Sequence, residues 1–222
     1  MLLGEDCFFE EPEWKALLSS ISTVEISTSA IKTPDCHPMT SSLWIHASPT
    51  PRLFKQTTAF VTGLQASEPG SILHLILEAL QTRQNVLSWR ERFTVFASER
   101  SADRQRLRLR ELLGVSFAVQ IVLNRLIVAL EPRAAEARTF EIETQAFAEK
   151  VIVLCEEAAR EALPASDILL AQKLVIAKAA IESNSDWMQA VSKGSVHTEQ
   201  GSKRLPAAIF KRWCISFGRH NA

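Results

Sequence analysis

The sequence is poor in two residue types whose scarcity narrows the range of folds. It holds only 7 Gly in 222 residues, which argues against an all-β chain with many tight turns. Its 4 Cys stand far apart in the chain, at Cys7, Cys36, Cys155 and Cys214. Small secreted disulfide scaffolds are much denser in Cys. The sequence therefore favours a helical protein with reduced thiols in an intracellular setting.

The sequence also lacks an excess of either charge. Its 25 Lys plus Arg balance 25 Asp plus Glu, whereas stand-alone nucleic-acid binders usually carry a global basic excess. The neutral total hides an alternation along the chain. Residues 1–51 carry 2 basic and 7 acidic residues, 52–130 carry 11 and 6, 131–192 carry 6 and 11, and 193–222 carry 6 and 1. We expect acidic helices to pack beside arginine-bearing helices and to neutralise them.

Motifs that mark catalytic or metal sites are missing as well. There is no Gly-rich phosphate loop, no H-E-x-x-H and no Asp-Asp pair that could hold Mg²⁺. The segment Gly114–Ala118 differs from the G-x-S-x-G nucleophile elbow at one position, Ala118 in place of Gly. Its flanks are predicted to form one continuous helix, so we expect the Ser116 hydroxyl to bond to a carbonyl of its own turn. Cys36, His37 and His46 are too few for a tight metal site. We predict no enzyme activity, no catalytic or metal-binding residue and no cofactor.

Residues 1–51 differ in composition from the rest of the chain. They are rich in Ser and Thr, hold five of the nine Pro and show no sustained hydrophobic period. This pattern predicts an acidic, flexible arm, because little apolar surface offsets the entropy of ordering it. Within the arm, Phe8, Phe9 and Trp14 stand among acidic residues, a composition typical of activation segments. The alternative is a short amphipathic helix packed on its own domain.

Residues 52–192 follow helical periods and predict a helical domain. The most hydrophobic stretch, about residues 112–130, carries only a narrow polar ribbon of Ser116, Gln120 and Asn124. Its polar residues argue against a membrane span and favour a helix in the middle of the fold. The predicted fold class is all-α, an irregular multi-helix bundle around this central helix. Residues 193–222 are predicted to be a basic C-terminal tail, with a short helix available within 206–217.

A dense basic run lies just before the central helix. Arg104, Arg106, Arg108 and Arg110 could contact a nucleic acid or a protein partner, since guanidinium groups suit phosphates. The alternative is a solvated helix face whose arginines pair with the neighbouring Glu99, Asp103 and Glu111, each pair contributing little.

Three stretches of the helical domain resemble a known family when they are taken in order. Residues 121–132 read IVLNRLIVALEP, residues 143–148 read ETQAFA, and residues 169–178 read LLAQKLVIAK, followed by Trp187. This order resembles the C-terminal regulatory region of fungal zinc-cluster (Zn₂Cys₆) transcription factors, notably regulators like that of the aflatoxin pathway. The resemblance covers about residues 52–192.

The resemblance implies a regulatory domain in the nucleus that controls a secondary-metabolite gene cluster. Family members bind DNA through a module in which six cysteines hold two zinc ions, and four scattered cysteines cannot build that module. The chain is therefore expected to act without direct sequence-specific DNA binding, as a regulator or co-regulator. Its expected partners are proteins of the transcription machinery or a DNA-binding regulator, and no association with a membrane is expected. A homo-oligomer is possible. If the chain is not nuclear, contrary to what the resemblance implies, the expected location is the cytoplasm.

Two other functions compete with this one. The first is a small helical enzyme or carrier of a biosynthetic pathway, with an apolar pocket between helices lined by Trp89, Phe93 and Phe117. The second is a dimerising helical scaffold, which an exposed apolar stripe on a single protomer would favour.

Overall fold

The computed structural model describes residues 37–64, 69–98, 103–131, 136–160, 167–193, 196–197 and 203–216. Eight helices occupy these ranges: α1 (His37–Ala47), α2 (Thr50–Val61), α3 (Pro69–Ser98), α4 (Asp103–Leu130), α5 (Ala137–Arg160), α6 (Asp167–Glu182), α7 (Asn184–Lys193) and α8 (Ala207–Ser216). Between α7 and α8, two antiparallel strands of two residues each, β1 (Val196–His197) and β2 (Lys203–Arg204), form the described β-structure. The all-α prediction is confirmed.

Helix α4 lies at the centre of the fold, as its composition predicts. It contacts α1, α2, α3, α5 and α6, and every residue from Gln120 to Leu130 is buried. A helix that is apolar on nearly all sides has to be surrounded by other elements. The segment Leu109–Leu130 is long and apolar enough to cross a membrane, yet 83% of its most apolar window is buried in the protein. Core helices pass the same test of length and composition.

Two hydrophobic clusters pack on opposite parts of α4. The smaller cluster joins α1, α3 and α4 and consists of Leu43, Val86, Trp89, Phe93, Leu109 and Leu112. The larger cluster gathers side chains of the other helices around the second half of α4, from Phe117 to Leu130. Because α4 contributes to both, it connects the two clusters.

The prediction that residues 1–51 form a flexible arm is wrong for residues 37–51, which form α1 and the start of α2. Leu43 of α1 is completely buried in the smaller cluster, and the Trp89 indole donates a hydrogen bond to the Met39 carbonyl at 2.9 Å. Helix α1 spans only three turns and is rich in Ser and Thr, so its hydrophobic period is too short to recognise. The rest of the arm, residues 1–36, lies outside the described residues.

The described part of the C-terminal segment, residues 203–216, packs into the core rather than extending from it as a tail. Helix α8 covers Ala207–Ser216, within the range suggested for a short helix. Its Phe210 and Trp213 are completely buried and form ring contacts with Phe54 and Trp187. The segment 193–222 is basic overall, yet it contains this apolar pair, which is spaced i, i+3 and therefore lies on one helical face.

Candidate functional site

Arg125 lies at the centre of a set of buried and half-buried polar side chains from α3, α4 and α5, together with Ser183 between α6 and α7. We call this set the inner polar cluster. It consists of Arg83, Gln120, Asn124, Arg125, Glu141, Glu143, Thr144, Gln145 and Ser183. The Arg125 guanidinium donates to the Glu141 carboxylate at 2.6 Å, to the Ala180 carbonyl at 3.0 Å and to the Ser183 hydroxyl at 3.0 Å. It also stacks on Trp187, with its Cζ 4.0 Å from the ring centroid. One side chain of α4 thus connects α5, the end of α6 and α7.

The surroundings of Arg125 compensate a charge that has no access to water. Burial lowers the pKa of Arg125 to about 10 and raises the pKa of Glu141, while each charge stabilises the other. The Ala180 carbonyl belongs to the last turn of α6, where carbonyls lack helical partners and the helix dipole favours a cation. Gln145 donates to the same carbonyl at 3.1 Å and to Glu141 at 2.8 Å. The arrangement stabilises helix packing and offers no accessible reactive atom.

The second half of the inner polar cluster surrounds Asn124. The amide oxygen of Asn124 accepts a hydrogen bond from Arg83 at 2.7 Å. The Asn124 amide nitrogen donates to Glu143 at 3.0 Å and to the Phe140 carbonyl at 3.2 Å. Arg83 also forms an ion pair with Glu143. Gln120, one turn earlier on α4, donates to the Arg83 carbonyl at 2.9 Å. The polar ribbon predicted on the central helix therefore connects α3 and α5 to α4.

A second buried cation, Lys173 of α6, packs against α4. Its ammonium donates to the Glu111 carbonyl at 3.0 Å, and its side chain crosses α4 at Gly114. A Cβ on Gly114 would lie 3.0 Å from the Lys173 Cδ, so the glycine provides the space for this crossing. Burial lowers the pKa of Lys173.

Ion pairs cross between segments of opposite net charge, as the alternation along the sequence predicts. Arg83, Arg110 and Arg125 of residues 52–130 pair with Glu143, Glu157 and Glu141 of residues 131–192. Arg212 of the basic C-terminal segment pairs with Asp186. Packing therefore neutralises much of the arginine charge near the core.

The basic run predicted as a contact site is only partly described. Arg110 is half-buried, with its Nε 3.7 Å from the carboxylate of Glu157 on α5, a partner on another helix rather than one of the neighbouring acids Glu99, Asp103 and Glu111. The side chains of Arg104, Arg106 and Arg108 lie outside the described residues, although their backbone belongs to α4. Phe8, Phe9 and Trp14 also lie outside them.

Two other sequence predictions concern possible chemistry. The Ser116 hydroxyl donates to the Leu113 carbonyl at 2.8 Å inside α4, as expected of a helical serine rather than a nucleophile. The three aromatic residues suggested to line a pocket do not come together. Trp89 and Phe93 stack in the smaller cluster, whereas Phe117 stacks on Phe147 in the larger one.

The outer face of α3 presents large apolar side chains to solvent. Leu73 is 58% exposed and Leu77 is 57% exposed, whereas Leu80 beside them is half-buried and packs against the larger cluster. The most exposed neighbours on this face are Gly70, His74, Gln81 and Gln84, none of which carries a fixed charge. Glu78 faces α2 instead, where it pairs with Arg52. We call Leu73, Leu77 and Leu80 with Gln84 the outer leucine surface.

Sequence reasoning missed the two features that organise the candidate site. Arg125 stands alone in an apolar run, where it looks like a reason against a membrane span rather than a structural centre. Leu73 and Leu77 belong to a run that is apolar on all sides of α3, so the sequence did not reveal which leucines face solvent. The signal for Arg125 was its position next to Asn124 on a helix already predicted to be buried.

Among the described residues, no three His, Cys, Asp or Glu side chains come together as metal ligands would. No family model matches the chain, and no curated protein and no solved structure is significantly similar to it.

Proposed function

We propose that the chain is a non-enzymatic transcription regulator or co-regulator, acting in the nucleus through protein partners on a fungal secondary-metabolite gene cluster. The single structural observation that supports binding to other protein chains is the outer leucine surface; a dimerising scaffold would share this feature, so the choice of a regulator rests on the resemblance. Contiguous apolar patches on a protein surface often mark protein contacts. The class of process comes from the resemblance of residues 121–132, 143–148 and 169–178 to zinc-cluster regulators.

The inner polar cluster supports the non-enzymatic part of this proposal. The polar residues of the three resembling stretches include Asn124, Arg125, Glu143, Gln145 and Lys173, and in this chain all five bind other helices. These contacts between helices explain why such residues occur in otherwise apolar stretches. A regulatory domain of this kind needs a stable helical body and a surface for partners.

A reporter assay tests the proposed function. The full chain is fused to a foreign DNA-binding domain and compared with the double variant Leu73→Lys/Leu77→Lys, while a fluorescent fusion reports nuclear entry. We expect the fused chain to change reporter output and the variant to lose most of that change. Ile142→Lys is the matched control, because Ile142 of α5 is 66% exposed and distant in sequence from α3. A fusion that leaves the reporter unchanged while the chain stays out of nuclei contradicts the proposal.

A further inference from the structure

We infer that the core binds one water molecule beside the Arg125–Glu141 ion pair, where the water joins Arg125 Nε, Glu141 Oε2 and Trp187 Nε1. Arg125 and Trp187 are 0% exposed, and Glu141 is 1% exposed. The site lies in the core, on α4, α5 and α7, and involves no residue of the outer leucine surface. It therefore goes beyond the proposed function and is tested independently of it.

The hydrogen bonds of the ion pair are distributed unevenly over its atoms. Glu141 Oε1 accepts from Arg125 Nη2 at 2.6 Å and from the Gln145 amide at 2.8 Å, whereas the buried Oε2 has no partner among the described residues. The terminal nitrogens of Arg125 also donate to the Ala180 carbonyl and the Ser183 hydroxyl. Its Nε is buried and has no partner within the same described part of the chain. The pair thus leaves one donor and one acceptor unmatched.

Trp187 supplies a second unmatched donor at the same place. Its buried indole Nε1 has no hydrogen-bond partner among the residues that the structure describes, and its ring centroid lies 4.0 Å from the Arg125 Cζ. The buried indole of Trp89, by contrast, donates to the Met39 carbonyl at 2.9 Å, as buried indoles usually do. Because an unpaired buried polar atom costs free energy, three of them on groups in contact indicate a shared partner.

The chemistry of the three atoms identifies this partner. Two donors and one acceptor call for a molecule that accepts two hydrogen bonds and donates one. The Glu141 carboxylate repels an anion, and the Arg125 guanidinium repels a cation, so the partner is neutral.

The surroundings restrict the partner to a small molecule. Phe210 and Trp213, both 0% exposed, form ring contacts with Trp187 and enclose this part of the core. A buried water makes about three hydrogen bonds to polar groups that lack protein partners. One water therefore satisfies all three atoms and connects α4, α5 and α7.

Contact between water and the indole N–H groups of the ¹⁵N-labelled full chain tests the inference by nuclear magnetic resonance. We expect a cross-peak between water and the Trp187 indole, with opposite signs in the laboratory and rotating frames, as a long-lived bound water gives. Proton exchange with solvent gives the same sign in both. Trp89 is the matched control in the same chain, because its N–H donates to a carbonyl. Trp187→Phe and Trp89→Phe each delete one indole signal and so assign the two.

A Trp187 indole with no water contact, or with no more contact than Trp89, overturns the inference. Direct donation by Trp187 to Glu141 would give this result.

The double variant Arg125→Met/Glu141→Leu tests which groups hold the water. We expect it to lose the contact at Trp187, and oxygen-17 relaxation dispersion to report about one long-lived water fewer. The Trp89 signal should stay unchanged, and circular dichroism checks that the variant remains helical. A contact at Trp187 that survives the loss of both partners places the water elsewhere and overturns the inference.

Trp187→Phe provides a second test that keeps the ion pair and an aromatic ring. The water then loses one of its three partners, so its oxygen-17 dispersion should be smaller than in the wild type. Trp89→Phe, the matched substitution, should leave the dispersion unchanged. Equal dispersion in Trp187→Phe and the wild type overturns the inference, whether or not the double variant folds.

Discussion

At the scale of single residues, the stability of this fold depends on how buried charges are matched. Arg125 and Glu141 are 0% and 1% exposed, so each is stabilised mainly by the other and by the carbonyl and hydroxyl groups around it. A buried ion pair contributes little compared with apolar residues of similar size, but removing one partner leaves the other charge buried and unmatched. The pair therefore matters most when it is broken.

We predict that Arg125→Met and Glu141→Leu each lower the free energy of unfolding by about 3–5 kcal/mol. The double variant should be less destabilised than either single variant, because it leaves no unmatched charge. Urea denaturation followed by circular dichroism measures all three. Arg212→Ala, which removes the exposed partner of Asp186, should cost less than about 1 kcal/mol. A double variant as unstable as the sum of the single variants would contradict this account.

Lys173 gives a prediction that depends on pH. Burial lowers its pKa from the usual 10.5 in the folded protein, so at pH values between the two the unfolded chain binds more protons. Stability therefore rises with pH in that interval. We expect the free energy of unfolding of the wild type to increase, relative to Lys173→Met, as the pH approaches 10.5 from neutrality. A difference between the wild type and Lys173→Met that stays constant with pH would refute the prediction.

At the scale of helices, long hydrophobic periods were enough to locate the main elements. The prediction of a central helix over about residues 112–130 matched the observed end of α4 at Leu130, because nearly every position between Leu112 and Leu130 is apolar; the helix begins nine residues earlier, at Asp103. Short helices were harder to predict. Helix α1 contributes Leu43 to the core, and α8 contributes Phe210 and Trp213, so tertiary packing rather than local period decides that they fold.

The candidate site shows the same limit. The ribbon Ser116, Gln120 and Asn124 was recognisable from spacing alone, since i and i+4 residues share a helical face. The partners of these residues were not, because Arg83, Phe140 and Glu143 lie on other helices and only the folded chain brings them near. Local pattern thus predicted which residues are polar and buried, but not what they bind.

Helix α8 gives a prediction at this scale. Trp213 is fully buried and contacts Phe54, Trp187 and Phe210, so Trp213→Ala should lower the free energy of unfolding by about 3–5 kcal/mol. Ile215→Ala, on the exposed side of the same helix, should change it by less than about 0.5 kcal/mol. Thermal and chemical denaturation of both variants measure the difference. Equal, small effects would mean that α8 is a dispensable tail, as its basic composition first suggested.

At the scale of the whole molecule, packing brings segments of opposite net charge together and pairs their charges. The pairs Arg83–Glu143, Arg110–Glu157 and Arg125–Glu141 all connect residues 52–130 with residues 131–192. Neither segment could keep these arginines or glutamates near the core alone, because the unpaired charges would lose their hydration without compensation. The charge pattern therefore requires the segments to fold together.

The two hydrophobic clusters should accordingly unfold as one unit. Helix α4 carries Leu109 and Leu112 in the smaller cluster and Ile121 to Leu130 in the larger one, so the loss of one cluster removes the support of the other. We predict that Leu112→Ala lowers the free energy of unfolding by about 2–5 kcal/mol. Hydrogen–deuterium exchange should then accelerate in the peptides of α5 and α6 by the same factor as in those of α1 and α3. Acceleration confined to α1 and α3 would show instead that the smaller cluster opens independently. In that case the two halves of α4 would differ in their free energy of local unfolding although they form one helix.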